Sequence, residues 1–567
     1  MCYTEPRIQI ALSERVEFMR QSFTSTLLVL YVFLVCFSFC LQDNRLFAQE
    51  ATIFDIALQN GKQANEGFVR CNRYLFGWLA EADTMTGLIP RNLRAHQNFW
   101  PQQNFWNARD AAADNYSFMV LTCAAINPFM LETRMKTMLE TERKLTSRIG
   151  YLPDTYSFAT QGFLEPQPNE REIIFGSAEY TKDGLLPIAE FLGNSPWTDR
   201  LLEMLDDLIG LMNVSPELLH QRFGYIEAVE TSGNMMQVLA RMYWFTRNEK
   251  YLNKGIEFAD YYLNEKNLLV NNPLRLRDHG CEIIGGLVEM YNVVKTVAPE
   301  KYQQWTPHIH TLLDTVLEMG RNEDGLFYNQ IAPVSGRIID SGLADTWGYT
   351  FNAVYTVYLL DGKPEYKEAV LKALKNIAKY RNYPWEGTSS DGYADSIESA
   401  INLYHFEPLP ETADWIESEI QVMWAMQQPS GIIEGWHGDG NFARTTLMYC
   451  LWKTGGVIVE NWNKNVIFGS VIEDGVLYLA LASPVDWSGK IKLSPAFHRV
   501  HLNIPENYPR INQFQEWFPI DKDKEYQLIV NGVSETVKGI VLLDGYPVSA
   551  KGRADGKESL RIQIAPM

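Results

Sequence analysis

Cysteine is scarce, with seven residues in a chain of 567, and Cys2, Cys36 and Cys40 fall within the first 48 positions. The other four, Cys71, Cys123, Cys281 and Cys450, lie far apart and form no CxxC pair, so a zinc site built on thiolates is not supported. Single thiols on apolar segments read as small core residues. Basic residues are also in deficit: 50 Lys and Arg stand against 69 Asp and Glu, for a formal charge of -19, and no basic stripe interrupts the acidic background. That argues against a nucleic-acid partner, because phosphate binding relies on clustered cations that release counterions. "PIDKDKEY" lacks the glycine and the ligand spacing of an EF-hand loop, and neither a metal nor a cofactor is expected.

What is present begins with one apolar run. Arg20 precedes "TLLVLYVFLVCFSFCL", residues 26–41, followed by the polar "QDNRLFAQE". The run falls short of the ~20 residues of a membrane span and has the layout of a secretory leader, with cleavage after Ala48. Val35 and Phe39 precede Cys36 and Cys40, where a lipoprotein anchor needs a small residue. The expectation is an exported protein, periplasmic or extracellular, with no membrane attachment after cleavage; association into a homo-oligomer stays open. With 46% hydrophobic residues the remaining chain can bury a large core and a second domain.

From residue 53 to about 456 amphipathic helices alternate with polar loops, with starts predicted near 53, 108, 131, 178, 197, 233, 249, 280, 300, 341, 364, 389, 409 and 440. A glycine turn followed by a short apolar run recurs in "TGLIPRNL", "IGYLPDTY", "DGLFYNQI" and "SGIIEGWHGDG". This rhythm predicts six or seven helical hairpins closed into an (α/α)6-like toroid, residues 49–456. Alternating short strands such as "VIFGSV", "GVLYLALA" and "YQLIVNG" then predict a C-terminal antiparallel β-sandwich, residues 457–567. "NYPRINQFQEWF", between those strands, is too aromatic for an idle loop and is expected to pack against the helical domain.

The functional signal lies at the helix heads. In "LRLRDHGCEIIGGL" the residues Asp278, His279 and Glu282 occupy the first turn of a helix whose buried face runs through Ile283, Ile284, Leu287, Tyr291 and Val294. Taken alone they are caps that complement the helix dipole. The pattern recurs, however: Asp110 and Asp114, Glu179, Glu227 and Glu230, Asp345, the trio Asp391, Asp395 and Glu398, and His437 with Asp439. In a toroid alternate helices point their N-termini to one rim, so these heads would converge on a cleft. Carboxylates beside Trp106, Trp347 and Trp436 fit carbohydrate chemistry, since hydroxyls pair with carboxylates and sugar C–H faces stack on indole. Glycosidic hydrolysis needs two carboxyl groups, one to protonate the leaving oxygen and one to attack or to activate water. Arg94, Arg109 and Arg444 suit a uronate carboxylate, or pair with the acidic neighbours.

The segments "WNARDAAADNYSFMVLT", "LRDHGCEIIGGL" and "DGNFARTTLMYCLWKTGG" resemble bacterial (α/α)-toroid carbohydrate-active enzymes, with glycoside hydrolase family 154 the nearest by resemblance. That resemblance implies release of β-linked glucuronic acid or galactose from plant-type or algal glycans. Family 127 shares the architecture but uses clustered cysteines, which are missing here. The helix-head argument selects Asp278, Asp345 and Glu227 as the catalytic candidates. Asp110, Arg109, His279, Glu282, Trp347, Trp436, His437 and Asp391 are the expected sugar-binding set. The rivals are a polysaccharide lyase, with His279, Tyr225, Tyr349 or His437 as base, and a glycan-binding protein without turnover.

Overall fold

In the computed structural model, residues 53–94, 104–271, 273–433 and 439–567 are described; the leader, Trp436 and His437 lie outside them. Among the described residues, seven inner helices form a closed ring. They begin at Ala108–Tyr116, which runs on into Ser117–Ile126, then at Glu170–Glu179, Tyr225–Thr246, Glu282–Val297, Trp347–Asp361, Ser390–Phe406 and Asn441–Thr454. Each packs on the next, and the last returns to Ser117–Ile126. Seven antiparallel outer helices among the described residues wrap them, and the seventh is supplied from the front of the chain by helix 53–80. There Cys450 Sγ donates to the Ala64 carbonyl, and Arg70 Nη1 to that of Trp424.

Three expected helix starts shift. The helix anticipated near 178 begins at Glu170, where the Asn169 side chain accepts from the Glu172 amide, and the one near 233 begins at Tyr225, after Gly224. Residues expected to start a helix near 341 form the strand Arg337–Leu343, which pairs with Tyr328–Ala332 through a turn at Gly336. The recurring glycine turns are real backbone features: Gly87, Gly150, Gly325 and Gly431 all have positive φ, which only glycine adopts at no steric cost.

Two antiparallel sheets follow the ring. Five strands run in the order Ile467–Glu473, Val476–Ala482, Leu560–Pro566, Glu525–Val530, Val533–Lys538, and three run Tyr546–Ala550, Trp487–Lys492, Ile458–Val459. "VLYLALA" reads apolar throughout because both of its faces are covered. Leu477, Leu479 and Leu481 join the main core, while Ala480 and Ala482 meet Phe54, Ala57 and Leu58 of helix 53–80.

Between these strands the chain leaves the sheets, and residues 508–516 thread into the base of the ring. The Tyr508 hydroxyl donates to Glu289 at 2.9 Å, and Arg510 ion-pairs with Glu190. Arg241 reaches both Glu289 and the Ile511 carbonyl. The Asn512 amide donates to Glu398 at 2.6 Å. Helices Tyr225–Thr246, Glu282–Val297 and Ser390–Phe406, with the segment Leu186–Leu192, are thereby tied to one strap, and the packing expected of "NYPRINQFQEWF" becomes a plug on the ring axis.

Candidate functional site

The heads of the inner helices meet at the rim opposite this plug, and local chemistry sets each one. The Asn107 side chain accepts from the Ala111 amide at 3.0 Å and fixes the turn that carries Asp110. Ser389 accepts from the Gly392 amide at 2.9 Å ahead of Asp391 and Asp395. Helices Tyr225–Thr246 and Glu282–Val297 touch through glycine: a Cβ on Gly233 would lie 2.4 Å from the Glu282 carbonyl carbon, and one on Gly286 2.6 Å from the Gly233 oxygen. No other residue lets Glu282 approach so closely. Two segments that feed the site, Ala108–Tyr116 and Tyr180–Leu185, are π-helical, a widening often found at functional sites.

The heads enclose a cavity of about 250 Å3. Among the described residues its wall carries Asp110, Asp114, Glu179, Asp183, Glu230, Asp278, Glu282, Glu386, Asp391, Asp395 and Asp439, against three cationic side chains, Lys182, His279 and Arg444. All three are already paired: Lys182 with Asp183 at 2.6 Å, Arg444 with Asp395 at 2.6 Å and Glu398 at 3.0 Å, and His279 with Glu230 at 2.6 Å and Asp278 at 3.0 Å. Ile511 of the strap closes the far end. Asn512 steadies the wall behind it, donating to Asp183 at 2.9 Å and accepting from Arg444 at 3.0 Å. Toward solvent the cavity opens into a mouth of about 300 Å3, lined also by Arg109, Phe175, Ile226, Glu227 and Arg275. His279 and Glu386 hold left-handed backbone, with φ of 61° and 45°, a strain that clusters at working sites.

So many carboxyl groups cannot all ionise, and their surroundings sort them. Burial opposes ionisation at Asp110, yet Arg91 and Arg109 hold its carboxyl well below the usual range. Asp278 is likewise buried, and His279, with Arg275 and Arg277, keeps it strongly acidic. Asp278 and then Glu230 hold the His279 imidazole protonated. The opposite holds for Asp114, Glu179, Asp391 and Asp395, which burial and neighbouring carboxylates push well above the ordinary range. Glu282 is raised to about 7 by burial, which Lys182 opposes and to which Asp278 and Glu230 add. Its side chain is 5% exposed; Oε1 accepts from Cys281 Sγ at 3.4 Å, and Oε2 has no protein partner. The buried Asn234 Oδ1 also lacks a partner. Among the described residues, no group of three or more His, Cys, Asp and Glu side chains is arranged to hold a metal ion.

No family model and no curated protein matches the chain. Solved structures do resemble it. A family 76 glycoside hydrolase (mannosidase) from Bacteroides thetaiotaomicron is 10% identical over 68% of this chain and 99% of its own, with a TM-score of 0.38. An α-1,6-mannanase from Salegentibacter sp. is 11% identical over 68% and 98%, at 0.36. Cellobiose 2-epimerase from Bacillus thermoamylovorans is 11% identical over 49% and 87%, also at 0.36. Likeness this loose carries no residue roles across, and the resemblance to family 154 gains no support from it.

The candidates drawn from the sequence divide accordingly. Asp110, Asp278, His279, Glu282 and Asp391 all line the cavity. Arg109 and Glu227 stand at the mouth, Arg109 near Asp110 and Glu172, and Glu227 in an ion pair with Arg171. Asp345 lies behind the wall, 2% exposed, with its carboxylate accepting from the Thr346 amide and 3.8 Å from Arg277; burial, Asp278 and Glu386 raise it to about 6. Trp347 is wholly buried, its Nε1 donating to Ser396 at 3.0 Å, and Trp106 is buried too. Both indoles serve the core and offer no stacking face to a sugar. Lys182, Asp183, Asn234, Glu386 and Ile511 were not anticipated. Lys182 and Asp183 stand beside the quoted Glu179, whereas Glu386 and Ile511 come from loops with no helix-head signature.

Proposed function

We propose that the chain hydrolyses glycosidic bonds, removing one sugar at a time from the end of a glycan. The observation that supports this best is a pair of carboxyl groups on one helix head, Asp278 and Glu282, facing the same cavity in opposite protonation states. Such divergence assigns acid and base roles. Glu282, with a proton still bound near neutrality, donates it to the glycosidic oxygen. Ionised Asp278 faces the positive charge growing at the anomeric carbon, as nucleophile or as base for water. The cavity is polar and rich in acceptors, including the unpartnered Glu282 Oε2 and Asn234 Oδ1, which suits a ligand that brings hydroxyl donors.

Ile511 closes the far end of the cavity among the described residues, which suits a chain end rather than the middle of a polymer. Of the two sugars suggested by the sequence, galactose fits the deep cavity better, because its three cations are already neutralised by carboxylates. A uronate would find its counter-charge at the mouth, where Arg275 lies with a buried, unpartnered Nε. Export, expected from residues 20–48, would bring extracellular plant or algal glycans within reach. Elimination is disfavoured: His279 is held protonated, and the Tyr349 hydroxyl donates to Asp395 at 3.0 Å and to Glu398 at 2.6 Å, with burial and those acids raising it far above a useful base. The test incubates the protein with plant and algal glycans and follows reducing-sugar release together with ultraviolet absorbance of unsaturated uronates. Sugar release without absorbance is the expected result; absorbance rising with chain cleavage would replace hydrolysis by elimination.

A further inference from the structure

A second groove, of about 660 Å3, lies at the other end of the first inner helix. Asp110 stands at the funnel and Ile126 at the groove, and a rise of 1.5 Å per residue separates them by about 24 Å. The groove is therefore distinct from the central cavity. Its walls come from helix 53–80 (Asn72), the turn between inner and outer helices (Asn127, Phe129), and the loop that enters the sheets (Asn461, Trp462, Asn463).

Phe129 is 74% exposed, an aromatic face held out to solvent on a helical turn whose cap, Asn127, accepts from the Met130 amide at 3.2 Å. Trp462 is fixed from behind by Phe68, ring centroids 5.9 Å apart and edge-on, and its buried Nε1 has no acceptor in the protein. The loop is pinned at the left-handed Asn461, whose carbonyl accepts from Trp487 Nε1 at 3.3 Å. Asn463 uses its amide oxygen on the Asn465 backbone, as Asn127 does on Met130, which leaves both NH2 groups as donors. Charge is balanced: among the described residues Glu460 and Lys464 are the only ionisable ones in the lining, and Glu460 is 4.0 Å from Lys490.

We propose that this groove binds a neutral oligosaccharide as a non-catalytic subsite. Aromatic faces take the C–H face of the sugar ring, the four asparagines exchange hydrogen bonds with its hydroxyls, and the indole N–H gains the acceptor it lacks. A charged glycan finds no matching field there. Binding at this groove does not depend on catalysis in the central cavity.

The experiment is native affinity electrophoresis of the intact protein through gels containing soluble galactan, xylan, mannan or mixed-linkage glucan. Wild type should be retarded by at least one of them. Phe129→Ala, at an exposed position, should keep the wild-type thermal midpoint, weaken that retardation about tenfold and leave sugar release in the central cavity unchanged. Trp462→Ala, checked for an unchanged thermal midpoint, should act like Phe129→Ala. Absence of retardation in every gel, equal retardation of Phe129→Ala and wild type, or a Phe129→Ala effect confined to self-association in sedimentation would each overturn the proposal.

Discussion

Replacing Glu282 by Gln isolates the group on which the proton-donor role depends. In the folded protein its carboxyl titrates near 7, against 4.5 when unhindered. The folded state thus holds a proton that the unfolded chain has released, and stability must fall as pH rises from about 4.5 to about 7, with the full penalty present above that range. The difference between these two values corresponds to roughly 3 kcal/mol. Gln keeps the shape, accepts the Cys281 contact through its carbonyl and cannot ionise, so the variant escapes the penalty. Denaturant unfolding should show a gain under about 1 kcal/mol at pH 5 and of about 3 kcal/mol at pH 8.5. The same variant should lose turnover and with it the decline in rate above neutrality. A stability gain equal at both pH values, or a rate that still declines above neutrality in the variant, would refute the assignment.

Asp278→Asn should reduce turnover by about 10²- to 10⁴-fold with the fold intact, and nuclear magnetic resonance should show the His279 imidazole titrating lower once its partner is neutral. Asp345→Asn, behind the wall, should cost far less, as steady-state kinetics would reveal. Gly233→Ala forces a methyl group against the backbone of Glu282 and should destabilise by about 1–3 kcal/mol in denaturant titrations while lowering activity. Arg510→Met removes the direct partner of the buried Glu190 and leaves Arg241 at 3.7 Å; thermal unfolding should register a loss of about 3 kcal/mol.

The ring was legible because helical periodicity and glycine turns are local signals. Gly87, Gly150, Gly325 and Gly431 each need left-handed backbone, and that requirement is written in the residue itself. The convergence of heads was legible for the same reason, since a toroid brings N-termini to one rim wherever a polar first turn opens an apolar helix. Distinguishing lining from backing residues was beyond that signal. Asp345 and Asp278 have the same texture in sequence, yet one lies behind the wall and the other faces the cavity. Trp347 carries the same residue type as a sugar platform and is wholly buried, because packing rather than composition decides which way an indole points. The packing of "NYPRINQFQEWF" on the helical domain was legible from its aromatics, but its place as the floor was not: Ile511 and Asn512 reach the site from more than a hundred positions beyond Glu398, through contacts that no periodicity encodes.

The most direct test of hydrolysis by the Asp278 and Glu282 pair is mass spectrometry of products formed in heavy-oxygen water, once with wild type and once with each single variant. The account predicts that wild type releases a monosaccharide carrying one heavy oxygen and no unsaturation, and that Asp278→Asn and Glu282→Gln both lose this product. An unlabelled, unsaturated product, or labelled sugar released at the wild-type rate by both variants, would contradict it.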